Sequence, residues 1–484
     1  MILKAILNEL GIDLISSSHY EDDLNNKRGK FCLWVDAFGN SQPHIIPLDL
    51  TENQFQIYNK ISRNYSNSFL FESLTGPEIL AETSVMGFDP KVIIKGYSDK
   101  VEVIKKGKDI KIIQTNDPYT ELKKLLKNSN NRDYRYLGGA VGVVNYDAIR
   151  LVEKIPNTHD ASEPMMEFGI YDDGILYDNI HKKLFYFYYD ENRFSEFKIS
   201  KGDFESFDAT KITPNMNKEG FSKIVNKAKQ YIYEGDIFQV VLSRKFAFDV
   251  NGDNLTLYKT LRNLNPSPYM YHLKQNNKTL IGASPEMLVR ITDDKVETFP
   301  IAGTRKITDN EEENKKLANE LLHDEKEIAE HTMLVDLGRN DIGKVCKYGT
   351  VHPESLMKIK RFSHVQHIVT HVVGNLASEK DMFDAFQAVF PAGTVSGAPK
   401  VRAMEIIDEL ETEERGPYAG AVGYFSYNGC CDFAIAIRSI FLNGDKGFVQ
   451  SGAGIVSDSI AENEFKETEH KAKAMLQALK EASN

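Results

Sequence analysis

Near its C-terminus the chain carries the segment Gln450-Ser-Gly-Ala-Gly-Ile-Val-Ser-Asp-Ser-Ile-Ala-Glu-Asn-Glu-Phe-Lys-Glu-Thr-Glu-His-Lys471. A short apolar strand is predicted to end in Gly452-Ala453-Gly454, where small residues let the backbone approach a ligand and direct N–H groups at an anion. A carboxylate-rich helix follows, with Glu464 and Glu467 on one face and Lys471 a turn beyond. Two interpretations are open at this point: a metal-assisted site for an acidic small molecule, or a glycine turn before a charged surface helix.

The length and composition describe an ordinary globular protein. A chain of 484 residues predicts two domains or one large composite fold. The net charge of −11 and the pI near 5.7 argue against a nucleic-acid partner and against an anionic membrane surface. Four cysteines, two of them adjacent, predict reduced thiols in the cytoplasm. We find no apolar run near the roughly 20 residues that a membrane span needs, and predict a soluble cytoplasmic protein.

Strand patterns dominate the first part of the chain and helical patterns become frequent later. Alternating or apolar runs predict strands that include residues 31–36, 92–96 and 184–189, and a hairpin over 100–113. Spacings of three and four predict helices over 217–234, 311–337 (two helices joined at His323-Asp324), 383–390, 401–411 and 462–482. The polar stretch 190–215 predicts a boundary between an N-terminal region, 1–215, and a C-terminal domain, 216–484.

One sequence element occurs twice. Tyr136-Leu-Gly-Gly-Ala-Val-Gly-Val-Val-Asn-Tyr146 is similar to Tyr418-Ala-Gly-Ala-Val-Gly-Tyr-Phe-Ser-Tyr427. Small residues in a strand allow another backbone to approach closely. Equivalent strands in the two halves would explain the similarity, and so would chance.

Acidic helices suggest a metal site. In the helix after Asp324, Glu327 and His331 lie on one face, and Glu330 lies beside them. Zinc would need several nitrogen or sulfur ligands, and only His331 and His470 are candidates. One carboxylate from each of two helices suits Mg²⁺ better, because that ion keeps several waters. Two solvated helix faces are the alternative.

Other stretches offer groups for an anionic ligand. Residues 298–305 predict an apolar strand that ends in Gly303-Thr304, a backbone donor and a hydroxyl. Residues 433–438 predict a buried strand that delivers Arg438, which suits either a bidentate grip on a carboxylate or a structural ion pair. The loop 390–402 opens a helix whose N-terminus could bind an anion, although it lacks the Walker A pattern. His367 is a candidate for proton transfer if it lies in a pocket.

In their order, these motifs resemble the chorismate-utilising enzyme family, and within it the large subunits of anthranilate synthases. The segments that carry the resemblance are Phe299-Pro-Ile-Ala-Gly-Thr-Arg305, Glu330-His-Thr-Met-Leu-Val-Asp-Leu-Gly-Arg-Asn-Asp341, Phe390-Pro-Ala-Gly-Thr-Val-Ser-Gly-Ala-Pro-Lys400, Gly420-Ala-Val-Gly-Tyr-Phe425, Ile437-Arg438 and Gly452-Ala-Gly-Ile-Val456. The resemblance implies an α+β fold: a sandwich of large antiparallel sheets flanked by helices. Residues 216–484 would form the chorismate-binding catalytic domain, and 1–215 would be interleaved with the sheets and hold part of a tryptophan-regulatory site.

The resemblance also implies roles for individual residues. Mg²⁺ would be held by Glu330 and Glu467, with Glu464 a weaker candidate nearby. The metal would bind the ring carboxylate of chorismate and assist loss of the C4 hydroxyl, while ammonia adds at C2 and pyruvate is then lost. His367 would transfer a proton in that elimination. Chorismate would be bound by Gly303, Thr304, Tyr418, Arg438, the amides of Gly452, Ala453 and Gly454, and Lys471.

Two positions separate members of the family. Similar aminodeoxychorismate synthases usually carry a nucleophilic lysine where this chain has Ala302. Water-using relatives carry a lysine where this chain has Gln239, a candidate catalytic residue that is no base at pH 7. Ala302 and Gln239 both favour anthranilate as the product. An aminodeoxychorismate synthase that does not use the lysine stays open as an alternative, as does a silent subunit that only binds tryptophan or chorismate.

Regulation and partners also follow from the resemblance. Tryptophan would bind between Leu70-Phe71-Glu72-Ser73 and Asn265-Pro-Ser-Pro-Tyr-Met270, with Ser73, Pro268, Tyr269 and Met270 as contacts. Phe71 stands where the family usually has leucine. We find no Gly-x-Cys-x-Gly nucleophile motif in the sequence, so ammonia from glutamine would need a separate glutamine amidotransferase subunit, expected in a heterotetramer.

Overall fold

Two large antiparallel sheets form the core of the protein. The computed structural model describes residues 41–49, 52–75, 81–159, 163–361 and 365–483; the predicted strand at 31–36 lies outside them. The strands are β1 (His44–Leu48), β2 (Asn67–Glu72), β3 (Thr83–Phe88), β4 (Val92–Gly96), β5 (Lys100–Lys105), β6 (Lys111–Gln114), β7 (Gly139–Val144), β8 (Met166–Tyr171), β9 (Asp173–Asp178), β10 (Lys183–Tyr188), β11 (Phe207–Pro214), β12 (Gln239–Gly252), β13 (Tyr269–Gln275), β14 (Lys278–Ser284), β15 (Met287–Thr292), β16 (Lys295–Thr298), β17 (Ile301–Lys306), β18 (His352–Arg361), β19 (Val365–Asn375), β20 (Gly397–Ala398), β21 (Ala421–Ser426), β22 (Cys431–Ile435), β23 (Ser439–Asn443) and β24 (Lys446–Ile455). The helices are α1 (Gln54–Ser62), α2 (Pro118–Lys123), α3 (Lys218–Tyr233), α4 (Asn254–Leu264), α5 (Glu311–Leu321), α6 (Glu325–Gly343), α7 (Met382–Val389), α8 (Gly393–Ser396), α9 (Lys400–Leu410) and α10 (Ala461–Ala482).

The order of the strands differs from their order along the chain. In the described residues the first sheet runs β1-β10-β9-β3-β2-β13-β14-β23-β24-β12-β11, with β20 beside β12. The second runs β17-β19-β16-β15-β22-β21-β7-β8-β4-β5-β6, with β18 beside β19. Neighbouring strands are antiparallel, for example β12 and β24 or β7 and β21. The predicted α+β sandwich of large antiparallel sheets is confirmed.

Both sheets contain strands from the two regions on either side of residue 215. In the first sheet β2 lies beside β13, with Phe71 opposite Tyr271. In the second sheet β7 lies beside β21, with Gly142 opposite Gly423. One hydrophobic core packs side chains of both sheets together. Within the residues that the structure describes, neither region therefore has a sheet of its own.

The repeated Gly-Ala-Val-Gly element forms the contact between β7 and β21. The two copies lie side by side as antiparallel neighbours. A Cβ atom on Gly142 would overlap the carbonyl oxygen of Glu167 on one neighbouring strand. A Cβ atom on Gly423 would likewise overlap the carbonyl oxygen of Asp432. Only glycine permits this backbone approach at the centre of the sheet.

The predicted helices are confirmed, and their ends follow from local chemistry. Asn217 caps α3 by accepting from the Gly220 N–H, which satisfies a donor that the helix cannot pair internally. Asp324 separates α5 from α6 and caps α6 in the same manner. Among the described residues, no helix is long and apolar enough to cross a membrane.

One predicted strand is divided in two. Residues 298–305 were expected to form one strand ending in Gly303-Thr304, but β16 ends at Thr298 and β17 begins at Ile301. Pro300 between them has no N–H to donate to a ladder. Gly303 lies inside β17 with φ +66, where the register with β19 shifts. Gly303 and Thr304 therefore lie in a bulge within a strand, which is a correction to the expected strand end.

Candidate active site

The predicted site residues come from distant parts of the chain and meet around α6, α10, β19 and β24. The edge of β24 is the first component. β23 pairs with β24 only as far as Val449, so in the described residues the 450–455 part of β24 has a strand neighbour on the β12 side alone. Gly452 lies on this part, and a Cβ atom there would come 2.9 Å from the Tyr418 hydroxyl. The predicted residues 452–454 thus form an open strand edge, rather than a turn, beside the Tyr418 hydroxyl.

Gln239 joins this edge to helix α6. Its Nε2 donates to Glu330 Oε1 at 3.0 Å. Because a carboxylate accepts only, this contact fixes the amide orientation and directs Gln239 Oε1 away from Glu330. A Cβ atom on Gly454 would come within 2.7 Å of Gln239 Nε2. Glycine at 454 therefore makes room for the side chain that holds Glu330.

A cluster of carboxylates lies between α6 and α10. Burial raises the pKa of Glu330; the Gln239 hydrogen bond opposes this, and the charges of Glu327 and Glu467 raise it further. Burial also raises the pKa of Glu464, and Glu467 contributes again. These groups are therefore close enough to destabilise one another as anions.

Lys471 is the cation nearest to this cluster. Its Nζ lies 2.6 Å from Glu467 Oε1 and donates to the Gly452 carbonyl at 3.1 Å. Its charge also lowers the pKa values of Glu330 and Glu464. Lys471 thus links the acidic helix to the open edge of β24.

The carboxylates can accommodate a hard divalent cation. In the described part of the chain no group of three or more His, Cys, Asp or Glu side chains is arranged to hold a metal ion. Mg²⁺ needs fewer protein ligands, because it retains waters and shares positions with an anionic substrate. Glu330 and Glu467 would supply oxygen ligands from two helices. Burial, with smaller contributions from the charges of Glu327 and Glu467, raises the pKa of Glu330, and a bound cation would stabilise its charged form. The donor set therefore fits Mg²⁺ and excludes a zinc site rich in nitrogen or sulfur.

His367 lies on β19 opposite Thr304. Its Nδ1 donates to the Gly303 carbonyl at 2.9 Å and lies 3.1 Å from Thr304 Oγ1. This contact places the proton on Nδ1 and basicity on Nε2. Burial lowers the pKa of His367 to about 4, opposed by the Gly303 contact and reinforced by the charges of Arg438 and Lys471. The imidazole is neutral at physiological pH and can accept a proton.

Arg438 enters the site from the link between β22 and β23. It has φ +52, a left-handed conformation that is costly for a non-glycine residue and is frequent at functional sites. Its Nη1 donates to the Lys471 carbonyl at 3.1 Å. Burial lowers the pKa of Arg438, although Tyr418 and Glu467 oppose this. A guanidinium held in this manner beside Lys471 suits an anionic ligand better than a structural ion pair.

Glu286 was not predicted from the sequence, and the structure places it at the same site. It lies between β14 and β15, is 7% exposed, and accepts from Thr394 Oγ1 at 2.9 Å. Burial raises its pKa to about 8, although the Thr394 hydrogen bond and the Lys471 charge oppose this. The sequence feature that could have revealed Glu286 is a charged residue that directly follows Ser284-Pro285 between two apolar strands. At neutral pH this side chain is a protonated acid.

The four predicted tryptophan contacts lie together elsewhere. Ser73, Pro268, Tyr269 and Met270 line one cavity of about 50 Å³ between the two sheets. Phe71 also lines it. These residues therefore share one cavity, in a place distinct from the carboxylate cluster.

Comparison with known proteins identifies the family. The model of the chorismate binding enzyme family matches residues 52–477. The chain belongs to this family. All the predicted active-site residues lie within the matched range, so the open strand edge, the carboxylates and His367 belong to a chorismate-utilising enzyme.

Relatives agree with this assignment. The chain is 44% identical over 446 residues to anthranilate synthase component 1 of Acetivibrio thermocellus, covering 86% of this chain and 90% of the relative. It is 39% identical over 447 residues to aminodeoxychorismate synthase component 1 of Bacillus subtilis, covering 88% and 94%. The crystal structure of anthranilate synthase component I from Streptococcus pneumoniae TIGR4 is 38% identical, with a TM-score of 0.72 over 82% of this chain and 92% of that one. The menaquinone-specific isochorismate synthase of Escherichia coli, 18% identical with a TM-score of 0.70, shares the fold.

Proposed function

We propose that this chorismate-utilising enzyme is the large subunit of an anthranilate synthase, which converts chorismate and ammonia into anthranilate and pyruvate. The observation that carries the proposal is Gln239. Its amide donates to Glu330 in the site and is no base at pH 7, so it cannot activate water but leaves ammonia, already a nucleophile, unaffected. Ala302 beside the site offers no nucleophile. Relatives that are 44% identical, including that of Acetivibrio thermocellus, are anthranilate synthase component 1 proteins.

Binding of chorismate is assigned to groups that match its two carboxylates. Arg438 and Lys471 are cations at the open β24 edge. Those N–H groups of residues 452–454 that point away from β12 can donate from the side that has no strand neighbour. Gly303 and Thr304 lie beside His367. The Tyr418 hydroxyl, close to Gly452, completes the donor set.

Mg²⁺ is proposed as the cofactor, held by Glu330 and Glu467, with Glu464 close by. When bound, the ion would polarise the ring carboxylate and stabilise charge as the C4 hydroxyl leaves. Glu330 is positioned for this role by the Gln239 hydrogen bond. Lys471, 2.6 Å from Glu467, orients the second ligand.

Two proton transfers are assigned to this chain's own residues. The C4 hydroxyl needs a proton to leave as water, and the protonated Glu286 carboxyl is a suitable donor at neutral pH. After ammonia adds at C2, the proton at that carbon must be removed as pyruvate is lost and the ring becomes aromatic. His367 Nε2 is the proposed acceptor, because its Nδ1 proton is held by Gly303.

Partners and regulation form part of the proposal. Ammonia would come from a glutamine amidotransferase subunit in a heterotetramer; the component 1 naming of the relatives supports a second component. Tryptophan would inhibit from the cavity lined by Ser73, Pro268, Tyr269 and Met270. We place the protein in the cytoplasm, where the free thiols of Cys346, Cys430 and Cys431 would stay reduced.

One assay tests the proposal. The purified chain is incubated with chorismate, Mg²⁺ and ammonium at mildly alkaline pH, and anthranilate fluorescence is followed. Accumulation of a 4-amino product would instead support aminodeoxychorismate synthase, the activity of the Bacillus subtilis relative. No turnover together with tryptophan binding would support a silent regulatory subunit.

A further inference from the structure

His331 is a buried residue of α6 to which the proposed reaction gives no role. It directly follows Glu330, and its side chain is fully buried. Successive residues of a helix point about 100° apart, so His331 faces a different neighbour from Glu330. Its Nε2 lies 2.7 Å from the Thr370 hydroxyl on β19. Among the described residues its other ring nitrogen, Nδ1, has no hydrogen-bond partner, so the Thr370 contact orients the ring.

The Thr370 hydroxyl is itself held by a third element. Thr370 is fully buried, and its Oγ1 accepts from the Met357 N–H at 3.0 Å. Met357 lies on β18 with φ +49, where the register between β18 and β19 shifts. A bulge of this kind leaves a residue outside the strand ladder, and the Thr370 hydroxyl satisfies its N–H. The position of the group that meets His331 is therefore set by β18 and β19 together.

Two hydrogen bonds at consecutive residues tie α6 to both sheets. Glu330 accepts from Gln239 on β12, a strand of the first sheet, at 3.0 Å. His331 contacts Thr370 on β19, a strand of the second sheet. Strand β19 also carries His367, three residues before Thr370. One turn of α6 therefore determines where the proposed metal ligand lies relative to the proposed proton acceptor.

Ion pairs also join α6 to the second sheet, near the exposed start of the helix. Arg305 on β17 lies 2.8 Å from Asp324 and 3.0 Å from Glu327. Partly exposed ion pairs of this kind contribute little, because they are solvated and flexible. A buried hydrogen bond is more exacting, since a partner left alone in the interior has no water to replace it. The contact between His331 and Thr370 is therefore better suited to fix the helix beside Glu330.

We propose that His331 is a positioning residue, whose bond to Thr370 fixes Glu330 relative to His367. The inference rests on the proposed roles of Glu330 and His367, and His331 itself touches neither the substrate nor the metal. Without the bond, α6 keeps its apolar packing but can shift at Glu330. A displacement of about 1 Å can lower a rate about 100-fold, so a small shift is sufficient to impair the site.

The test measures Mg²⁺ affinity by calorimetric titration and kcat with ammonium. His331→Leu and Thr370→Val remove the bond without a large change in volume, and in each we expect Mg²⁺ affinity and kcat to fall about tenfold or more. The double variant should be about as impaired as either single variant, because the same bond is lost in all three. His331→Gln should restore both quantities, since an amide can donate or accept in place of the imidazole Nε2.

Val335→Ala is the matched control. Val335 is buried on α6 one turn after His331, and its side chain has no polar atom. Its variant should lose thermal stability through lost packing, yet keep wild-type Mg²⁺ affinity and kcat. An equal loss of both in Val335→Ala would assign the effect to packing and overturn the proposal. Wild-type values in His331→Leu would overturn it too, as would a His331→Gln variant no better than His331→Leu.

Other results would identify a failure elsewhere. If His331→Leu does not fold, Thr370→Val is compared with Thr370→Ser, which keeps the hydroxyl and should match the wild-type chain. A wild-type chain that turns over without binding Mg²⁺ would refute the metal assignment, and kcat alone would then decide the role of His331. A wild-type chain that binds Mg²⁺ but forms no product would refute the proposed reaction, and the Mg²⁺ affinities would decide. A chain that does neither would overturn both proposals.

Discussion

Replacing Glu286 with glutamine should separate stability from catalysis. The carboxyl ordinarily titrates at 4.5 and is held at about 8 in the folded protein. The folded state therefore retains a proton that the unfolded state releases, and stability falls as pH rises from 4.5 to 8. One pH unit corresponds to about 1.4 kcal/mol, so at pH 7 this cost is about 3 kcal/mol. Glutamine cannot ionise and accepts the same Thr394 hydrogen bond, so Glu286→Gln should remove the cost.

The same Glu286→Gln substitution, which should raise stability, should lower turnover. Glutamine has no proton to give to the leaving hydroxyl, and kcat should fall about 100-fold or more. The free energy of unfolding is measured by urea denaturation at pH 5 and pH 8, and kcat by anthranilate fluorescence with ammonium. Between these pH values, the wild-type chain should lose about 3 kcal/mol relative to the variant.

Glu297→Gln is the matched control, because Glu297 is equally buried but paired. Burial alone would raise the pKa of Glu297, yet the His371 hydrogen bond at 2.9 Å and the Arg290 charge lower it. This carboxylate stabilises the fold above its ordinary pKa, and that stability is lost as pH falls. Glu297→Gln should thus be less stable than wild type at pH 8 while keeping most of its turnover. Full turnover in Glu286→Gln together with unchanged stability at pH 8 would refute the assignment of Glu286 as a buried acid.

Three further substitutions address other parts of the site. Glu467→Gln should weaken Mg²⁺ binding by an order of magnitude or more, seen by calorimetric titration, and undiminished affinity would exclude Glu467 as a ligand. His367→Asn should accumulate the aminated intermediate, detected by chromatography. In the wild-type chain kcat should not fall as the pH is lowered from about 7 to 5, because the pKa of His367 is about 4. Gly454→Ala places a Cβ atom 2.7 Å from Gln239 Nε2, so it should move this flexible amide away from Glu330 and lower turnover strongly while changing thermal stability little. Gly343→Ala, with no atom within 4 Å of its Cβ, is its control and should leave both unchanged.

Local features of the fold could be predicted from the sequence because they depend on neighbouring residues. The helical spacing between 217 and 234 and the cap at Asn217 define α3 without any tertiary contact. The pairing of β7 with β21 could not be derived in this manner. Their shared Gly-Ala-Val-Gly indicated equivalent strands, but only the structure shows that they are neighbours. Strand order depends on contacts between distant segments, which carry no periodic signal.

In the candidate site, too, residues within sequence motifs could be predicted, and features that depend on distant segments could not. The family motifs pointed to Glu330, Glu467, Arg438 and His367. Glu330, Glu467 and His367 lie on α6, α10 and β19, and Arg438 lies in the link between β22 and β23. Glu286 was not predicted from the sequence, because a single glutamate between strands forms no pattern. Its raised pKa depends on burial by segments far away in the chain. The size of the cavity lined by Ser73, Pro268, Tyr269 and Met270 could not be predicted either, since it depends on side chains from both sheets.

The mixing of early and late strands in both sheets has a consequence for synthesis on the ribosome. Strand β7 emerges long before β21, and β12 long before β24, so during translation each has an edge that awaits its partner. Exposed edges invite pairing with other chains, and distant contacts form slowly. The nascent chain should therefore depend on chaperones until α10 has left the exit tunnel, and prematurely terminated products should aggregate rather than yield a folded fragment.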